Sequence, residues 1–544
     1  MKTGFFQQVS GKSWLPVAAA AGLSLVAGGA VQGEPRTSIR PYLEVQQVAT
    51  ADFDRGEVLT YTGIGGGVDA SVATRRVQAT ISYNYQRRIG WNRGLDDSDV
   101  HSGLAAVHVD AVPGLLSLDA GAMAARSHAD IRVPVPSART IDDPNVAEIY
   151  SAYVGPTLST RAGPVSVGAA YRLGYVAVDD HSLAGAPRPP GAPRVDRFQS
   201  SVVHNATVSV GMEPGRLPFG WTVGAGYVRE DQEQLDGRFE GKYVRGDVVV
   251  PVSPTLAVTG GVGWESMDAS LDDFVRDANG LPVLDPGGDL ISDPARPRLK
   301  TYEESGMMWD AGVIWRPSPR TELQARGGRR YGGTTFTGSL EHRINKHSAV
   351  TASVYDNVSS FGRLLVADLS GLPASFKIPR NGLGGGCVFG TDPATGGCFA
   401  DALQSITGFN FRNRGANIRY SASRGPWSLG IGAGYANRKY LAPQLGGAFP
   451  VGGVTDQSFT LGGNLSRRFT ATSGFDLDAY AAWYDSGLAG SGSAFGAGVT
   501  GRYYRNVIND HIQAQIAAGL YTTQTDGFGN SNYGSILVGL RYSF

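Results

Sequence analysis

From about residue 40 to the end of the chain, apolar side chains return at every second position in segments of about ten residues. A period of two belongs to a strand with one apolar and one polar face. Arg76 to Tyr85 is the cleanest segment: Val77, Ala79, Ile81, Tyr83 and Tyr85 alternate with Arg76, Gln78, Thr80, Ser82 and Asn84. The closing stretch, Tyr533 to Phe544, repeats the pattern. Ile536, Val538, Leu540, Tyr542 and Phe544 share one face, and Ser535, Leu537, Gly539, Arg541 and Ser543 lie between them. Twenty-two such segments are readable, the first starting near residue 40 and the last near 533.

The connections sort by length. Short ones carry turn chemistry: Pro113-Gly114, Ala162-Gly163, Ser253-Pro254, Pro317-Ser318-Pro319 and Arg424-Gly425. Long ones fall between them, at 127–146, 178–198, 266–304, 360–414 and 439–456. Two stacked sheets have no reason to sort loops by strand parity. A membrane barrel does, with short turns on one side and long loops on the other. Aromatic spacing agrees. Trp427 and Tyr435, Phe475 and Trp483, and Phe495 and Tyr503 each stand eight residues apart on one face. Eight residues of tilted strand cross roughly 20 Å, close to an apolar band between two aromatic girdles.

The amino end reads as a secretory signal peptide over residues 1–33, with Lys2 and Lys12 before an apolar run from Trp14 to Val26. That run is too short for a helical span, which needs about 20 residues. No other stretch of the sequence approaches a helical span. A chain of this kind enters a membrane only as a closed barrel, because every backbone polar group must be paired within it. The expected fold is therefore all-β: a transmembrane antiparallel barrel of about 22 strands (20–24), one domain over residues 34–544. About six residues separate Glu34 from the first strand at Arg40, which leaves no room for a separate plug domain. Barrels this wide need narrowing. The connections 266–304 and 360–414 are the candidates to fold over or into the mouth, with acidic residues of the first meeting arginines of the wall.

Charge adds exclusions. There are 48 basic and 48 acidic residues, so no net field points to nucleic acid. The eight histidines are scattered, and no two flank a glutamate at metalloprotease spacing. Asp277, Asn279 and Gly280 match part of a calcium loop, but the closing glutamate is missing, so a solvated acidic loop is expected. His108, close to Asp110, is read as lining the lumen. No catalytic constellation, metal site or cofactor is expected, and the chain is not read as an enzyme. Cys387 and Cys398 lie in a Gly-rich stretch of an exported chain, where a disulfide in an extracellular loop is the expectation.

One polar group stands out. Asp310 and Arg316, then Glu322, Arg326 and Arg330, then Glu341 and Arg343 fall on the inward parity of three successive segments. They cannot face lipid, where a midplane arginine costs about 2–4 kcal/mol. They are either braces of a wide wall or the lining of a pore. Arg329 falls on the lipid parity, so either it lies at the rim or the register slips there.

The closing strand, with Phe544, Tyr542, Leu540, Val538 and Ile536, resembles the terminal strand that the barrel-assembly machinery recognises in bacterial outer-membrane barrels. The runs Arg40 to Trp91 and Trp309 to Tyr331 resemble a family of Gram-negative outer-membrane barrels associated with exopolysaccharide and exosortase (PEP-CTERM-type) systems. The resemblance implies a barrel fold, an outer-membrane location and contact with membrane lipid. The leading reading of the chain is a channel or porin-like conduit for polysaccharide or a small polar solute, tied to exopolysaccharide export. The alternative is a structural or adhesive barrel that displays long loops without transport.

Overall fold

The computed structural model describes residues 36–91, 97–128, 146–179, 198–278, 283–285, 290–377, 387–399, 403, 406–442, 452–487, 492–508, 511–526 and 529–544. The expected signal peptide lies outside them, as do Asn279 and Gly280 of the partial calcium motif.

The alternating segments become β1 (Arg36–Asp52), β2 (Glu57–Ala73), β3 (Val77–Gly90), β4 (Ser98–Val112), β5 (Leu116–His128), β6 (Val146–Ala162), β7 (Val165–Asp179), β8 (Ser200–Met212), β9 (Gly220–Gln232), β10 (Gly237–Pro251), β11 (Leu256–Leu271), β12 (Leu299–Ser318), β13 (Thr321–Arg330), β14 (Gly333–Asn345) and β15 (Ser348–Ser359). A helix α1 (Phe361–Ser370) and a small hairpin, β16 (Cys387–Phe389) and β17 (Gly396–Cys398), interrupt the series. It resumes with β18 (Asn410–Arg424), β19 (Trp427–Leu441), β20 (Thr455–Arg468), β21 (Ser473–Asp485), β22 (Ser493–Ile508), β23 (Ile512–Thr525) and β24 (Gly529–Ser543).

All but the small hairpin join one 22-stranded antiparallel sheet. Each strand pairs with its sequence neighbours, β15 with β18 across the interruption. The sheet closes where β1 meets β24, from Tyr42↔Ser543 to Asp52↔Tyr533. Closure leaves no edge strand, which is what a bilayer demands. Connections on the side of Ser543 hold two to seven residues, whereas the other side carries residues 272–298 and 360–409. The short-turn side is the periplasmic side of outer-membrane barrels.

Strand parity decides what meets lipid. Val244, Val262, Trp264, Met307, Leu520, Ile536, Val538 and Leu540 all stand exposed on the outer face. The register also aligns the aromatic residues. Tyr435, Phe459, Trp483 and Phe495 are successive partners across β19 to β22. Eight residues away, Trp427, Arg467, Phe475 and Tyr503 form a second row across the same strands. In the first row, Tyr435, Phe459 and Trp483 touch ring to ring at 4.7 and 5.5 Å. Arg329 lies on the outer face, two residues from the extracellular β13–β14 turn, and is exposed at the rim.

Candidate functional site

The inner face is polar, and its charges come in closed groups. Arg245 donates to both oxygens of Asp310, at 2.5 and 2.9 Å, and to Asp247 at 2.6 and 2.8 Å. Arg326 donates to Asp247 and Asp310 at 2.9 and 3.0 Å. Gly261 of β11 separates Asp247 from Asp310 in the register. A Cβ there would fall 2.2 Å from the Arg245 guanidinium, so a larger residue would have to displace that side chain from its place between the two acids. Arg316 holds Glu322 at 3.0 Å. Arg330 donates to buried Glu265 at 2.8 Å, and the Tyr331 amide donates to the same carboxylate at 2.7 Å. Arg343 bridges Glu341 at 2.9 Å and Asp392 at 2.9 and 3.0 Å. His108 sits between Asp119 at 2.6 Å and Asp110 at 3.4 Å.

The seven charged residues singled out from sequence thus all lie on the inner wall, each in an ion pair. Sequence reasoning missed the partners Arg245, Asp247 and Glu265, which occupy the inward parity of β10 and β11 and were readable there.

The lumen is not empty. Ser360 caps α1, its hydroxyl accepting from the Arg363 amide at 3.1 Å. The helix then packs inside the barrel against β5 to β8. Phe361, Leu365 and Leu369 are fully buried, packed with Phe198, Ile149, Val176, Phe399 and Phe411 in one apolar cluster. Arg363 donates to Glu230 of β9 at 3.0 Å and to Asn410 at 2.6 Å, with its guanidinium 3.4 Å from the centre of the Phe239 ring. Glu230 has no solvent exposure and also accepts from the Ser360 hydroxyl at 2.5 Å. A buried pair of this kind is not a net source of stability, but losing one partner costs about 3–5 kcal/mol. Glu230 falls on the inward parity of β9, and the segment Phe361 to Ser370 has an N-cap serine before a Leu-rich run. Both signals were present in the sequence and were not used.

Beyond the helix the segment runs the length of the barrel. Thr80 of β3 donates to the Ala374 carbonyl at 2.9 Å, and Ser127 of β5 to the Leu403 carbonyl at 2.8 Å. Lys377 donates to Ser423 and Ser428 at 2.7 and 2.6 Å, beside the periplasmic turn that joins β18 to β19. Burial pushes the Lys377 ammonium below its usual value. Three wall glycines make space. A Cβ at Gly174 would meet Val366 at 2.6 Å, at Gly430 the Phe389 ring at 2.5 Å, and at Gly432 the Cys387 sulfur at 2.7 Å.

Two expectations are corrected here. Cys387 and Cys398 are disulfide-bonded across β16 and β17, but the bond rests against Gly432 inside the lumen, not in an extracellular loop. The loop leaves β15 on the extracellular side and folds inward because its apolar residues find cover only there. Among the described residues, Asp268, Asp272, Asp273 and Asp293 of the first loop pair with cations other than the wall arginines. Asp273 pairs with Arg276 and Arg296, and Asp272 with Arg298, all within that connection. Burial alone would raise the Asp273 carboxyl, but Arg276, the Phe274 amide and Arg296 outweigh it and hold the group below its usual range. Arg316, Arg326 and Arg330 pair instead with Glu322, Asp247, Asp310 and Glu265 of the wall. Phe274 and Leu290 place this loop over the same apolar cluster, so it caps the helix.

Gly430→Leu tests the packing. Strand backbone accepts a side chain, so the barrel should form, while overpacking against Phe389 costs the docked segment about 1–3 kcal/mol. After mild reduction, Cys387 and Cys398 should react faster with a maleimide than in the wild-type protein. An unchanged rate would mean that the hairpin does not rest on Gly430.

Among the described residues, no group of three or more His, Cys, Asp or Glu side chains is placed to hold a metal. No family model matches the chain, and no curated protein matches it. Among solved structures, it is similar to the FrpB iron transporter from Neisseria meningitidis in its apoprotein form, with 10% identity, 92% of this chain and 81% of that chain covered, and a TM-score of 0.44. It is similar to the closed form of the ferric-catecholate import receptor Fiu from E. coli, with 10% identity, coverage of 94% and 82%, and a TM-score of 0.47. It is also similar to the ferric preacinetobactin receptor BauA from Acinetobacter baumannii, with 11% identity, coverage of 94% and 81%, and a TM-score of 0.43.

Proposed function

We propose that this outer-membrane β-barrel is a conduit that is shut at rest by its own residues 360–409. The observation that carries the reading is the segment's position: it is held by β9 at one end of the lumen and by Ser423 and Ser428 at the other. A barrel built only to display loops has no use for a helix docked across its bore. Two kinds of contact hold the segment, and their sizes differ. Loss of the Glu230–Arg363 latch costs about 3–5 kcal/mol. Phe361, Leu365, Leu369 and Phe399, all buried, contribute roughly 1.5–3 kcal/mol each. The apolar contacts therefore dominate, and opening requires the helix to leave its cluster rather than one ion pair to break.

Planar-bilayer recording tests the proposal. Wild-type protein should show low conductance with rare openings. Glu230→Gln, which strands Arg363, should raise the frequency of openings without changing their size. Graded solutes then decide whether the cargo is a small polar solute or a polysaccharide. If the variant folds but opens no more often than wild type, the lumen segment is a structural filler, and the display reading replaces this one.

A further inference from the structure

The row Trp427, Arg467, Phe475, Tyr503 has a cation where the matching extracellular row has a ring. Arg467 is exposed on the outer face, its guanidinium 4.6 Å from the centre of the Trp427 ring and 5.1 Å from that of Phe469. It stands among the girdle residues at the periplasmic edge of the apolar band. Arg424 and Arg505, also exposed, lie on the outward parity of β18 and β22 at the same edge. None of the three touches a carboxylate among the described residues. The nearby acids Glu322, Glu341 and Asp476 all point inward and are held by Arg316, Arg343 and Arg502. At the opposite rim four outward cations, Arg87, Arg229, Lys242 and Lys300, each hold a carboxylate, whereas Arg329 holds none among the described residues.

A cation between aromatic rings at a bilayer edge, with its acids removed to the other face, is matched by a fixed anion in the lipid layer. We propose that Arg424, Arg467 and Arg505 form a binding surface for phosphate headgroups of anionic phospholipid in the periplasmic leaflet. The rings place the guanidiniums at headgroup depth, and β18 to β22 hold them in one arc. The surface is independent of the lumen and does not rest on the conduit reading.

The test titrates the full-length protein in detergent with phosphatidylglycerol or phosphatidylcholine and counts bound lipid by native mass spectrometry. Each interfacial cation contributes about fivefold, so Arg424→Gln/Arg467→Gln/Arg505→Gln should bind phosphatidylglycerol on the order of a hundredfold more weakly. Its phosphatidylcholine binding should not change, and the corresponding triple lysine variant should bind like wild type. Heat-modifiability verifies folding. If the triple glutamine variant does not fold, Arg424→Gln/Arg505→Gln serves, with an expected loss of roughly twenty-five-fold. Phosphatidylglycerol binding unchanged in a folded glutamine variant overturns the proposal. So does displacement of the lipid by an equal concentration of inorganic phosphate, which would mark the arc as a site for soluble anions.

Discussion

Excising residues 361–408 and closing the gap with a short glycine linker is expected to raise single-channel conductance by roughly tenfold or more. Barrels of 16–18 strands already enclose an aqueous channel, and this one has 22. The excision removes α1, the disulfide hairpin and Lys377 together, so no part of the segment stays in the bore. The wall should survive. Its ion pairs Arg245–Asp310, Arg326–Asp247 and Arg330–Glu265 are made between strands; Arg343 loses Asp392 but keeps Glu341, and Glu230 loses Arg363. Cells carrying the variant should become sensitive to large antibiotics that the outer membrane normally excludes. Trimming 273–297 instead should have a smaller effect, because the described part of that connection reaches only the cluster around the helix, through Phe274 and Leu290. A heat-modifiable excision variant with wild-type conductance would show that something other than this segment closes the lumen.

The second large effect is on assembly. Replacing Tyr542 and Phe544 by serine should lower the amount of folded barrel by at least about tenfold, since two aromatic side chains facing lipid are together worth roughly 3–6 kcal/mol and about 1.4 kcal/mol already gives a factor of ten. Both are exposed on the outer face, with ring centres 5.0 Å apart. Tyr542 stacks on His511, and the Phe544 amide donates to the Pro41 carbonyl at 3.1 Å, joining the last strand to the first. Inside the same seam, Arg541 pairs with Asp69 at 2.5 Å and lies over the Tyr42 ring. The serine variant keeps these inner contacts, so a loss of barrel isolates the role of the outer face. Folded and unfolded forms separate on unheated gels. Wild-type levels of the heat-modifiable form would remove the closing aromatics from the assembly step.

How much of this was legible varies by element. β7, β15, β19 and β22 begin at Val165, Ser348, Trp427 and Ser493, within a residue of where the alternation starts. The reason is physical. In a membrane barrel each strand has lipid on one side and a polar interior on the other, so side-chain parity is written into every segment. The same rule placed Asp310, Arg316, Glu322, Arg326, Arg330, Glu341 and Arg343 on the inner wall. It could not say which of them would meet, because partners such as Arg245 and Asp310 lie 65 residues apart and share a site only through the register of β10, β11 and β12.

The segment after β15 is the opposite case. Residues 360–409 carry no alternation, because none of those described forms a strand of the wall, and their local pattern is compatible with an outer loop. What turns them inward is cover for apolar side chains: Phe361, Leu365, Leu369 and Phe399 are buried against Ile149 of β6, Val176 of β7, Phe198 just before β8 and Phe411 of β18. The alternation alone thus determined a closed barrel, its strand count and its two faces, since each follows from the contrast between lipid and water along one strand. That the bore is occupied, that Glu230 holds Arg363, and that the disulfide lies inside were decided by the tertiary structure. Those contacts exist only after 22 strands have closed and brought one end of the chain's pattern within reach of the other.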